Sequence, residues 1–188
     1  MGMAMIRWMS FSILLLTVVA VSLGEEPAAG LVTVKLRVTG LFQPDRVQDL
    51  RDVMELIPDA KLVSVDYDNA EAVFEYDPRI AFNKTPPEKF AERLDNAVRM
   101  NSRSTFTIKP LSTTPKEKLE HVEIGVLGLD CKGCALGAYE AVAKIDGVVQ
   151  ATVSFKDELL KAKIDPEKTN REALEAALMR IRVELKKP

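Results

Sequence analysis

From Leu31 onward the chain alternates apolar and polar positions in short runs, broken by stretches of helical spacing. In "HVEIGVLGL" Val122, Ile124 and Val126 share one face, which predicts a strand. Residues 132–145 then place Ala138, Ala141, Val142 and Ile145 at helical spacing. Asp146-Gly147 stops that helix, because glycine accepts left-handed dihedrals cheaply. "VVQATVSF" and "LLKAKID" read as two strands turned at "KDE", and Pro166 ends the second. Thr169 or Asn170 caps a further helix, with Glu172 placed to suit its dipole. "IRVEL" closes as a last strand.

The first half reads the same way. Strands are predicted at residues 31–38, 62–67, 70–76 and 105–109, and helices at 45–57 and 87–100. "VKLRVTGL" lies on "VEIGVLGL" at an offset of 88 residues, and that offset also pairs Ile57 with Ile145 and "YDP" with "IDP". Extra residues around "RIAFN" interrupt the register, which resumes as "KTPPEKFAERL" against "KTNREALEAAL". Register kept through several elements marks an internal repeat. The order predicts an α+β chain of two tandem ferredoxin-like βαββαβ domains. Each has a four-stranded antiparallel sheet with two helices on one face. The expected boundaries are 25–110, a linker at 111–120 rich in proline and small hydroxylated residues, and 121–188.

Ahead of the first domain, Arg7 followed by the apolar run "FSILLLTVVAVSL" reads as an export signal over residues 1–24. "SLG" and "AVS" offer small residues for cleavage, and an uncleaved membrane anchor is the alternative. The expected location is outside the cytoplasm, in the periplasm. A formal charge of −2 gives no ground for nucleic-acid binding.

An exported location sharpens the question of the only two cysteines, Cys131 and Cys134, in "GLDCKGC". A structural staple gains with the loop it closes, so a bridge between residues three apart is a poor staple. The pair reads better as chemistry: a soft-metal site or a redox dithiol. With its βαββαβ plan and the Gly-hydrophobic-x-Cys-x-x-Cys motif at the end of a strand, the second half resembles the heavy-metal-associated domain family. That family includes periplasmic mercury-binding proteins, copper chaperones and modules of metal-transporting ATPases. The resemblance implies one thiophilic ion, Cu(I) or Hg(II), held by Cys131 and Cys134. It also implies a metal-transporting membrane protein, or another metal-binding domain, as partner. Soft thiolates select such ions, and a helix N-terminus favours the thiolate. Lys132 is expected to help in this, whereas the charge of Asp130 opposes it. The loop before the last strand is shorter than is usual in the family, which brings Met179, Arg180 or Ile181 to the metal's surroundings. In the first half Gln43 and Arg46 stand at the cysteine positions, so that half is read as a degenerate copy without ligands.

Two other roles stay open: a non-catalytic adaptor with a vestigial site, and a dithiol redox protein. His121 begins a strand and reads as a solvated strand end. Met54, Met100 and Met179 read as core filler on helices. The acidic run Asp66, Asp68, Glu71, Glu75 and Asp77 reads as a solvated hairpin face. No catalytic motif stands out, so neither an enzyme nor a small-molecule substrate is expected.

Overall fold

The computed structural model describes residues 30–186, so the expected export signal lies outside the described residues. Eight strands and four α-helices follow in chain order. The first half runs β1 (Val32–Thr39), α1 (Arg46–Glu55), β2 (Lys61–Asp66), β3 (Glu71–Tyr76), α2 (Pro87–Asn101) and β4 (Thr107–Lys109). The second half runs β5 (Glu120–Leu127), α3 (Lys132–Ala143), β6 (Val148–Ser154), β7 (Leu159–Ile164), α4 (Arg171–Arg180) and β8 (Glu184–Leu185). The strands form two antiparallel sheets, ordered β2-β3-β1-β4 and β6-β7-β5-β8. The repeat read from the sequence is therefore a repeat of topology. At the same offset β1 falls on β5 and β3 on β7, residue for residue.

Alternation sets which face is buried. Val122, Ile124 and Val126 point into the core of the second half with Leu160, Ile164, Leu174 and Leu178. Leu36, Val38, Phe74, Phe90 and Leu94 do the same in the first half. Asn170 caps α4, its side-chain oxygen accepting from the Ala173 N–H at 3.0 Å.

Met54 is buried, but Met100 and Met179 are 82% and 57% exposed, because each falls on the solvent side of its helix. Glu71 is not on a solvated face. It is buried, and it accepts from Lys35 Nζ at 3.1 Å and Lys116 Nζ at 2.9 Å. Lys116 comes from the 3₁₀ turn Lys116–Lys118, so the connecting segment folds back onto the first sheet.

The loop after β1 joins the halves. Strand β6 ends its sheet, and the exposed edge of a sheet invites pairing. Here the Val153 N–H donates to Phe42 O at 2.9 Å, and Gln43 Nε2 donates to Val153 O at 3.2 Å. Gln150 Nε2 donates to Leu41 O at 3.2 Å and Tyr67 O at 3.0 Å. The Phe42 ring is buried in the second half's core, 5.4 Å from the Tyr139 ring. The Tyr139 hydroxyl accepts from the Gly40 N–H at 2.6 Å. Gly40 has φ +99°, and a Cβ there would lie 2.2 Å from Thr105 O, so only glycine allows this approach.

Candidate metal centre

Strand β5 delivers the chain to Gly128, whose φ of +73° turns it outward. Leu129 then buries itself and leaves Asp130 and Cys131 exposed. Cys131 is extended (φ −142°, ψ 157°) and caps α3, its Sγ accepting from the Cys134 N–H at 3.1 Å. Cys134 sits in the first turn and rests partly on the core of the second half. No acidic residue lies in that first turn, so nothing within it offsets the positive end of the helix dipole. A helix N-terminus that solvates sulfur in this way favours thiolate over thiol. The two cysteines are joined as a disulfide across a Cα–Cα distance of 5.2 Å.

The geometry adds a residue that the sequence offers as a helix cap and as an opponent of the thiolate; the cap is Cys131 instead. Asp130 Oδ1 lies 3.5 Å from Cys134 Sγ. One carboxylate oxygen and the two sulfurs lie within 4.8 Å of one another, a grouping found at no other place among the described residues. Its signal in the sequence was adjacency alone, because strand-to-helix turns do not disclose which way a side chain leans. His121 is exposed on β5 and outside the grouping.

Lys132 acts elsewhere than expected. Its Nζ donates to Asp45 Oδ2 at 2.9 Å, across to the loop of the first half. That hydrogen bond raises the Lys132 ammonium and holds the Asp45 carboxyl below its usual range. The ammonium is thus engaged with Asp45 and not with the sulfurs. A groove of about 680 Å³ runs beside Cys134, lined in part by Leu129, Glu140, Ile181 and Arg182. Of the three residues expected near the site, Ile181 lines this groove, while Met179 and Arg180 do not.

At the corresponding place in the first half, neither side chain is available as a ligand. Gln43 is buried and engaged with Val153 O. Arg46 pairs with Asp49 and lies over the rings of Phe106 and Phe42, at 4.5 and 5.4 Å from their centroids. The loop that holds cysteines in one half is a docking loop in the other.

No protein-family model matches the chain, and no curated protein matches it. Among solved structures it is similar to a CopZ metallochaperone, at 21% identity over 36% of this chain and 100% of that one, with a TM-score of 0.35. It is similar to oxidized MerP from Ralstonia metallidurans CH34, at 24% identity over 37% of this chain and 99% of that one, TM-score 0.34. The N-terminal soluble domains of Bacillus subtilis CopA match at 17% identity over 83% of this chain and 92% of that one, TM-score 0.34.

Proposed function

We propose that the chain captures or delivers one thiophilic metal ion through Cys131 and Cys134 in their reduced form. The observation that supports this reading is the meeting of Asp130, Cys131 and Cys134 at an exposed helix N-terminus. Two thiolates suit soft ions such as Cu(I) or Hg(II). A carboxylate oxygen beside them extends the donor set towards borderline ions such as Zn(II), which accept sulfur and oxygen together. Capture requires that a thiol reductant first convert the disulfide to two thiols, with two electrons and two protons. Each sulfur then releases its proton to solvent as it ligates, so affinity falls as pH drops below the thiol pKa values.

In this reading the chain is a carrier and not a catalyst. The ion is cargo, and the donor or acceptor is a metal-transporting membrane protein or another metal-binding domain. Arg7 and the apolar run after it support export, with anchoring by an uncleaved segment as the alternative. Among the described residues no helix is long and apolar enough to cross a membrane. The test is a titration of reduced protein with Cu(I), Hg(II) and Zn(II) against a competing thiol, compared with Cys131→Ser and Cys134→Ser. One-to-one binding lost in both variants is the expected result.

A dithiol redox role is the second reading, favoured by the bond between the two sulfurs. The reduction potential of the pair separates the two. A value poised near a thiol–disulfide oxidoreductase, with no metal binding by the reduced form, would favour redox exchange.

A further inference from the structure

We propose that the cleft between the two sheets binds a small multivalent oxyanion, of the diphosphate or polycarboxylate kind. The cleft has two lobes, of about 300 and 400 Å³, that share Arg37, Val149 and the connecting residues Leu111, Ser112 and Thr113. The first lobe gathers Lys35, Arg37, Lys116 and Lys163 around a single carboxylate, Glu71. The second adds Lys109, Lys144 and Lys168 against Asp146 and Asp165. Seven cations thus face three carboxylates in a chain whose formal charge is −2. Such segregation concentrates a positive field in a concave, partly desolvated space.

Two of the three carboxylates are already engaged. Glu71 accepts from both Lys35 and Lys116, so one negative charge serves two ammonium groups. Asp165 accepts from the Thr114 hydroxyl at 2.7 Å and pairs with Lys168 at 3.7 Å. Lys144 is paired outside the cleft with Glu140. Lys163, by contrast, meets only neutral oxygens, Asp68 O at 2.7 Å and Asn69 Oδ1 at 3.0 Å.

Arg37 stands between the lobes. Its Nη1 donates to Val148 O at 3.3 Å, and its Nε is buried without a hydrogen-bond partner. Burial lowers the pKa of this guanidinium, while Tyr139 and Asp146 raise it. A partly buried guanidinium costs free energy that the charge of an anion bound beside it offsets. One oxyanion group in each lobe, both reaching Arg37, accounts for the shared wall. None of residues 130–134 lines either lobe, so this site is separate from the cysteine pair.

The experiment is a calorimetric titration of chelator-treated protein with inorganic pyrophosphate at fixed ionic strength, with citrate in parallel. Saturable one-to-one binding is expected. Which of the two binds more tightly tells a phosphate ligand from a carboxylate one. Lys116→Gln, at an exposed residue, combined with Lys163→Gln, at a half-buried one, should weaken binding at least tenfold. Cys131→Ser should leave it unchanged. The proposal is overturned by non-saturable heat from both anions, by equal affinity in the double variant, or by loss of binding in Cys131→Ser. Arg37→Lys keeps the charge but loses the planar fork, and it should weaken binding several-fold if the protein retains its thermal midpoint.

Discussion

Replacing Asp130 by asparagine keeps the size of the side chain and removes its charge. Two opposed effects follow. Loss of a carboxylate beside the sulfurs lowers the thiol pKa and favours thiolate. Loss of an oxygen donor 3.5 Å from Cys134 Sγ removes a ligand from the set that a borderline ion would use. Asp130→Asn should therefore reduce Zn(II) affinity at least tenfold while leaving Cu(I) affinity unchanged or slightly higher. Parallel competition titrations of the two ions check this. Equal losses for both ions would mean that Asp130 only shapes the loop. The cysteine pair was legible because its spacing and its place before a helical run are sequence properties. The lean of Asp130 and the pairing of Lys132 with Asp45 were not, since both depend on how a loop from the other half lies across the site.

The loop after β1 couples the halves where Phe42 and Gln43 meet the edge of β6. Helices, strands and their order could be read from alternation, because burial of one face leaves a period in the chain. The docking role could not, because Phe42 reads as one more apolar residue before a helix and its partners lie about a hundred residues away. Phe42→Ala removes a ring that the first half buries in the core of the second, and it should cost about 3–5 kcal/mol. It should also split a single unfolding transition into two, since Phe42 is the loop's largest contribution to the second core. Scanning calorimetry reads both effects. A loss below about 1 kcal/mol with one transition retained would mean that the halves are coupled by other contacts.

For the molecule as a whole, the connecting segment ties the halves through Glu71 and Asp165. Burial pushes the Glu71 carboxyl up, yet hydrogen bonds from Lys116 and Lys35 outweigh it and hold the group below its usual value. A depressed folded-state pKa stabilises above the unfolded value of about 4.3, and the gain fades as pH falls through the folded value. Thermal midpoints should therefore drop as acidification passes from the unfolded value through the folded one. Lys116→Gln should lessen the drop by weakening the pair, and an unchanged acid slope in that variant would contradict the assignment. Metal capture by the cysteine pair is decided by a thiol-competed metal titration of the reduced protein beside Cys131→Ser and Cys134→Ser. The wild type should bind one ion per chain and neither variant should bind tightly, with the fold intact in all three. Wild-type binding no stronger than that of the serine variants would contradict it.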